Sequence, residues 1–346
     1  MGASIKDVAI KAGVSIATVS HVLNGTRATR PQTRQRVLRA AEELGYALNL
    51  AARNLATGKS SLLGLVISDI RNPFFPEVTA AFQDQAALHN MDALVLNTNY
   101  DSHRILNTVQ RLIGLQVPAV AILTSQIDVA AIQMLSDRGV AAVYLDLGRV
   151  DRNISNILLD YEQGIGQALE HLVGLGHDRI AYIGGPPHLH SARRRKQAFL
   201  DIAAQRGIDH VAVDGDFTVK GAYFACSRVL NDFAPSAILG GNDLTAIGVL
   251  HRAYDGGLRV PEDLSVVGFD DILFAEFTQP ALTTVAVPRN EIGTVAFQAL
   301  WGMLEDPAAG GREFSLHTHL VERQSSRPPR NAGQAVILKP FRSTMP

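Results

Sequence analysis

Hydrophobic positions along the chain follow two rhythms, and the change between them falls near Ser60. In the first stretch Ile5, Val8, Ala9 and Ala12 recur at i, i+3, i+4 and i+7, the spacing of one buried helix face, and Gly13 breaks the run. Ser15 is placed to cap a second helix, which Asn24-Gly25 ends. A third helix runs from about Pro31, a good first-turn residue, through Val37, Leu38, Ala41 and Leu44 to a stop at Gly45. Two short helices around a glycine-containing turn, braced by a third, predict a helix-turn-helix unit.

From Leu62 onward short apolar runs alternate with longer amphipathic stretches. LLGLVI, DALVLNT, AVAILT, AAVYLDL, RIAYIGG, VAVDGDF, SAILGGND, LSVVGFDD and TTVAVP read as strands. A stretch opening at Pro73, and those over 105–115, 128–137, 161–175, 192–205, 219–230, 244–254 and 290–304, read as helices. Near-continuous apolar strands between helices point to parallel sheets covered on both faces. Roughly ten strands are more than one such sheet usually needs. The pattern therefore predicts two α/β subdomains divided near Asp160, with later segments crossing back. The stretch from Ser325, rich in Arg, Pro and Ser, is expected to be loosely ordered.

Charge sharpens the division. Of 346 residues with a net charge of -1, residues 1–60 hold nine Lys or Arg against three Asp or Glu, so +6, and the remainder carries -7. A basic head on an acidic body is the asymmetry expected of a nucleic-acid or anionic-surface contact. The single cysteine, Cys226, allows no disulfide within the chain, which fits a reducing compartment. No apolar run approaches the roughly 20 residues needed to span a bilayer, and MGASIKDVAIKAG lacks an export segment. The expectation is a cytoplasmic protein without a membrane contact.

The second helix, within GVSIATVSHVLNG, carries Val19, Val22 and Leu23 on one side and small groups on the other. A helix entering the major groove needs such clearance. Ala17 and His21, four apart, share a face; Ala17 suits a thymine methyl and His21 a guanine edge. Ser15, Thr18, Ser20 and Asn24 suit phosphates, which position without reading sequence, leaving Ile16, Ala17 and His21 as the readers.

Residues 4–59 resemble the DNA-binding head of the LacI/GalR family of bacterial transcription regulators. The likeness rests on Ile5-Lys6-Asp7-Val8-Ala9, Ala12-Gly13-Val14-Ser15, Thr18-Val19-Ser20, Val22-Leu23-Asn24, Thr33-Arg34, Val37 and Leu44-Gly45-Tyr46. His21 departs from the Arg usual there, and Arg30 from the Ser that usually caps the third helix. The resemblance adds Ser4 and Thr33 to the DNA-contact set. The segment ALNLAARNLATGKS holds good helix formers but stands alone, and so short a helix is marginal in water. By resemblance it is a hinge helix, about 49–57, that folds when two subunits sit on DNA and pushes Leu55 into the minor groove beside Asn49, Ala52 and Arg53.

Ligands in open α/β sheets sit beyond the carboxyl ends of the strands. Those ends cluster Asp69 to Phe75, Asn97 to Asn99, Thr124-Ser125, Asp146, Phe217, Gly241-Asn242-Asp243 and Asp270-Asp271, joined by a helix opening at Ser191 with Arg193, Arg194 and Arg195. Carboxylates, an amide and a guanidinium around an aromatic plate suit a polyhydroxylated ligand. The resemblance continues to about Arg327 through Asn72-Pro73-Phe74-Phe75, GLGHDR at 174–179, Ile183-Gly184-Gly185-Pro186, Gly240 to Asp243, Gly257-Leu258-Arg259-Val260-Pro261, SVVGFDD at 265–271, Pro280 to Val285 and Leu320-Val321-Glu322-Arg323. It implies that Asp146, Arg195, Phe217, Asn242 and Asp270 hold effector, with Phe74 and Phe75 beside them. Asp69 and Asn72 complete the candidate set. Asn72 before Pro73 equally suits a helix cap, and Asp243 suits a cap better than a ligand. Val287 departs from a usual glutamine.

Other chemistry is weak. Gly164 and Gly166 lack a third glycine and fall in a helix, so no dinucleotide fingerprint forms. His188 with His190, and His317 with His319, lack supporting metal ligands. No cofactor and no metal are expected. The fold expected is α/β: an all-α helix-turn-helix head (1–60) and two doubly wound α/β subdomains of periplasmic-binding-protein-like type, about 61–160 with 289–318 and 161–288 with 319–330, then a flexible tail, 331–346. The function expected is a homodimeric, non-enzymatic transcription regulator, a repressor by default, that binds a pseudo-palindromic double-stranded DNA operator under control of a small-molecule effector, most simply a sugar. A solute receptor of periplasmic type, a hydrolase on the same architecture and a nucleobase-responsive regulator are the alternatives.

Overall fold

The computed structural model describes residues 3–24, 27–46, 60–124, 126 and 128–329. Asn49, Ala52, Arg53, Leu55 and the hinge helix expected around them, like the 331–346 tail and the side chain of Asn24, lie outside the described residues. The chain divides into two compact units at Ser60 and Ser61.

The first unit holds α1 (Ile5–Ala12), α2 (Ile16–Asn24) and α3 (Pro31–Glu43). Ser4 and Asp7 close a capping box on α1: the Ser4 hydroxyl accepts from Asp7 N and the Asp7 carboxylate accepts from Ser4 N. Gly13 ends α1 at φ 62°, a conformation a side chain would strain. Ser15 Oγ accepts from Thr18 N at 3.1 Å, so it caps α2. Pro31 starts α3, where Arg30 makes no side-chain cap bond. Val8, Ala9, Ala12, Val19, Val22, Val37, Ala40 and Ala41 form the core, and the small residues among them let three short helices approach closely.

The second unit contains, among the described residues, two six-stranded sheets. The first joins β1 (Leu62–Ile67), β2 (Asp92–Asn97), β3 (Ala119–Leu123), β4 (Ala141–Leu145), β5 (Ile154–Leu159) and β11 (Glu313–Leu316) in the order β11-β5-β4-β3-β1-β2, all parallel. The second joins β6 (Arg179–Ile183), β7 (Asp209–Val213), β8 (Ala237–Gly240), β9 (Ser265–Asp270), β10 (Thr283–Ala286) and β12 (His319–Val321) in the order β12-β10-β9-β8-β6-β7, with only the β10–β12 pair antiparallel. Helices α4 (Phe74–Leu88), α5 (Ser102–Gly114), α6 (Val129–Asp137), α7 (Tyr161–Gly174), α8 (His190–Gln205), α9 (Val219–Asp232), α10 (Asp243–Asp255) and α11 (Arg289–Glu305) connect the strands, and a 3-10 helix spans Leu273–Phe277. The chain passes from the first sheet to the second after β5. It returns after β10 to α11, which packs on α4 and on β3, β4 and β5, and it crosses again between β11 and β12.

Three strands escaped the hydrophobic pattern. In β5 the polar Ser155 and Asn156 interrupt the apolar run, yet both are fully buried. Arg312 N donates to Ser155 Oγ and Asn156 Nδ2 donates to Glu313, both partners far along the chain, while Asn156 Oδ1 accepts from the nearby Leu147 N. β11 and β12 are short edge strands whose pairing depends on those crossings. The expected loose stretch from Ser325 is corrected for residues 325–329. Ser325 is fully buried, its hydroxyl donating to Val266 O and accepting from Thr283 N, so a hydrophilic composition here serves a hydrogen-bonded seam. Arg327 O accepts from His177, which also bonds Ser236 and Ser265 at 2.8 and 2.9 Å.

Burial holds the His177 pKa below its ordinary value of 6.5, so the imidazole is neutral in the fold. The unfolded chain takes up the proton as pH falls below 6.5, and the stability His177 provides is present above that value and lost beneath it. Melting temperatures of His177→Gln are expected to lie below those of the native chain at pH 7.5, by the equivalent of about 1–3 kcal/mol. They should decline less between pH 7 and 5.5; parallel declines would exclude this role.

Candidate functional site

The crossings bring the carboxyl ends of both sheets onto one cleft. Its cavity is about 30 Å³, lined by Asn72, Phe74, Phe75, Tyr100, Leu145 and Leu159 from the first subdomain side, and by Tyr161, Ser191, Arg195, Phe217, Asn242 and Asp270 from the other. Such a volume holds about one water, whereas small-molecule sites occupy several hundred Å³.

Arg195, on α8, is buried with Asp270 across from it. One guanidinium nitrogen donates to Gly241 O at 2.6 Å, another lies 3.2 Å from Asp270 Oδ1, and the Phe269 and Tyr161 ring centroids are 4.1 and 5.0 Å away. Burial disfavours the charge, but Asp270, Tyr161 and Tyr182 together raise the Arg195 pKa and keep it cationic. Burial pushes the Asp270 carboxyl up to about 6, against the pull of Arg195 and Arg289. Asp270 and Asp271 stand at φ 112° and 54°, unusual for residues with a side chain. Asp243 anchors their loop, accepting from Ile272 N and the Thr284 hydroxyl at 2.7 and 2.5 Å. Burial raises its pKa far above the ordinary range. The cap of α10 is instead Asn242, which accepts from Thr245 N and Oγ1.

Of the candidate ligand-holding residues, Asn72, Phe74, Phe75, Arg195, Phe217, Asn242 and Asp270 line the cavity. Asn72 also accepts from Phe74 N at 3.1 Å, one residue ahead of the cap position, which is Pro73 and makes no side-chain cap bond. Asp69 and Asp146 are outside the lining. Asp69 chelates Arg71 through both oxygens. Asp146 accepts from Tyr161 OH at 2.6 Å and Leu159 N at 3.0 Å, tying β4 to the first crossing; burial raises its pKa against those bonds. Tyr100, Leu145, Leu159 and Tyr161 were not legible as site residues. Tyr100 follows the Asn97 to Asn99 strand end by one residue, and Leu159 closes the strand that pattern reading missed.

In the head Ile16 is 48% exposed and Ala17 is exposed, while Thr18, Ser20, His21 and Thr33 are half-buried. Ser4 and Ser15 are exposed and already serve as caps, and the Ser15 hydroxyl lies 2.9 Å from that of Thr18. Lys11 and Arg39 both pair with Glu43, whereas Lys6, Arg27, Arg30, Arg34 and Arg36 are exposed cations. Among the described residues no helix is long and apolar enough to cross a membrane, and no group of three His, Cys, Asp or Glu could hold a metal ion.

Phe217, at φ 60°, lays its ring where a Cβ on Gly185 would stand 2.2 Å away. Gly185→Ala should therefore cost about 1–3 kcal/mol by denaturant unfolding. In a Phe217→Ala background the same change should cost less than about 0.5 kcal/mol. Equal costs in both backgrounds would show that the ring and the glycine do not meet.

Residues 4–49 match the family model of bacterial regulatory proteins, lacI family, and residues 169–326 match that of a periplasmic binding protein-like domain. Catabolite control protein A of Priestia megaterium is 31% identical over 334 residues, 94% of this chain and all of that protein. The lac repressor dimer bound to operator and the anti-inducer ONPF superposes with a TM-score of 0.83 at 29% identity, covering 94% of this chain and 100% of the other. The transcriptional regulator CelR in complex with cellobiose gives 0.70 at 28% identity, with the same coverage. A basic helix-turn-helix head and a two-sheet cleft thus occur together, in the same order and over nearly the whole length, and the chain belongs to the LacI family of bacterial regulatory proteins.

Proposed function

We propose that this chain is a cytoplasmic transcriptional repressor that binds a pseudo-palindromic operator as a homodimer and releases or grips it according to a small molecule held in the cleft. The observation that carries the reading is the occurrence in one chain of a small-residue face on α2, with Ile16 and Ala17 exposed, and of a cleft floored by the buried Arg195–Asp270 pair. Ile16, Ala17 and His21 read bases; Ser4, Ser15, Thr18, Ser20, Asn24 and Thr33 hold phosphates; Asn49, Ala52, Arg53 and Leu55 form the hinge contact with the minor groove. The dimer is supported by exposed Leu273, Phe274 and Phe277 on the 3-10 helix and by Tyr254 and Leu88, at 59%, 55%, 71%, 81% and 74% exposure.

The effector is a neutral sugar in this reading. Asn72, Asn242, Asp270 and Arg195 supply acceptors and donors for hydroxyls, and Phe217 covers an apolar sugar face. The CelR structure holds cellobiose in this fold. The Phe74, Phe75, Tyr100 and Phe217 rings around the cavity support a second reading, a flat nucleobase stacked between Phe75 and Phe217. Because the cavity is so small, ligand entry changes the separation of the subdomains, and the hinge helices order or melt with it. The relatives are regulators of transcription, and no enzymatic step is assigned to the chain.

A mobility shift with fragments of the gene's own promoter region is the direct test. Retarded bands are expected, and none at any palindromic fragment would end the operator reading. Site selection with His21→Arg should move the preferred half-site, since the guanidinium offers a bidentate fork to guanine that imidazole lacks; identical preferred sites would remove His21 from the readers. Arg195→Ala or Asp270→Ala should abolish the effector response and retain operator binding. Retained response would exclude the pair from the site.

A further inference from the structure

Arg289 opens α11 directly after the segment through which the chain leaves the second sheet. A cation at a helix N-terminus opposes the helix dipole, so this placement needs partners of opposite sign. They come from both subdomains. Arg289 Nε donates to Glu77 Oε2 on α4 at 2.8 Å, and its NH1 donates to the backbone carbonyl of Asp270 at the end of β9. The side chain is 15% exposed. Glu77 stands on the first turn of α4 with the site residues Phe74 and Phe75, and Asp270 faces Arg195.

We infer that Arg289 is a positioning residue for the cleft, holding the backbone of Asp270 and fixing its place relative to the first turn of α4. Consecutive non-glycine residues at positive φ persist only where the surroundings over-determine them. Here Ile272 N is held by Asp243, Asp271 is paired with Arg323 at 2.7 Å, and Asp270 O accepts from Val287 N and Arg289. Among these restraints Arg289 is the one that also reaches α4. A planar guanidinium can serve two partners in different directions, which the point charge of a lysine serves less well. The two walls of the cleft are thereby kept in register by a side chain that is not among those lining the cavity. This inference rests on the effector reading of the cleft, but its first test needs no effector.

Hydrogen exchange of the full chain, read by mass spectrometry, tests it in Glu77→Gln, Arg289→Lys and Arg289→Met. Arg289→Met should raise exchange about tenfold in peptides covering 270–273 and 74–79 together, leaving those covering 179–183 and 237–240 unchanged. Glu77→Gln should raise it over 74–79 alone, and Arg289→Lys should give an intermediate rise, which serves if the Met variant does not fold. An even rise across the body, or none over 270–273 in either Arg289 variant, overturns the inference. A thermal-shift screen with cellobiose, D-glucose, D-ribose and adenine then supplies a ligand whose affinity should fall about tenfold in Arg289→Met and less in Arg289→Lys. Unchanged affinity also overturns it. If none of the four binds the native chain while the exchange pattern appears, the positioning role stands and the effector reading for these ligand classes fails.

Discussion

A buried guanidinium sets the terms for this cleft. Taking the Arg195 charge out of water costs several kcal/mol unless carbonyls, carboxylates or ring faces replace the lost hydration. Gly241 O, Asp270, Phe269 and Tyr161 do so, and they come from the ends of β8 and β9 and the start of α7. β8 and β9 are neighbours in the second sheet, so their carboxyl ends deliver Gly241 and Asp270 side by side although the chain separates them by the whole of α10. Tyr161 arrives through the first crossing. Strand order and crossings together thus create the surroundings in which one arginine can be buried.

Helix capping and recognition use the same chemistry, and in this protein helix-start residues and candidate contact residues coincide. Asn72 and Asn242 satisfy backbone N–H groups at helix starts and line the cavity with the same side chains. Ser4 and Ser15 cap α1 and α2 while remaining at the surface of the head. A short polar side chain at a helix N-terminus is rigid because one bond fixes it, and a rigid donor or acceptor costs little entropy to present to a partner.

The cleft as it stands is about 30 Å³ and is lined by polar and aromatic groups from both subdomains. The helix α11 packs along α4 and carries Arg289 to both Glu77 and Asp270. Close-packed elements have few intermediate arrangements, so these contacts change in discrete steps or not at all. A site built across two sheets is suited to act as a switch for that reason.

The head and the alternation of the body were legible without coordinates. Periodicities of 3.6 and of continuous apolar runs depend on local backbone geometry, and Val8, Val19 and Val37 or the LLGLVI run announce their burial by spacing alone. Strand ends likewise pointed to Phe74, Phe217 and Asp270, and the helix opening at Ser191 to Arg195, as neighbours in a cleft. The sequence could not reveal β5, because the burial of Ser155 and Asn156 depends on partners more than 150 residues away. Nor could it separate Asp146, spent on Tyr161 and Leu159, from Asp270, which faces the cavity, since both are carboxylates at strand ends. Composition likewise misread Ser325, whose hydroxyl is enclosed by β9 and β10. Local periodicity by itself determined which segments become helices and strands and which strand ends carry chemistry; the tertiary structure decided which polar groups are consumed by one another and which remain turned toward a ligand, because a hydrogen bond is settled by the position of its partner and not by the residue that offers it.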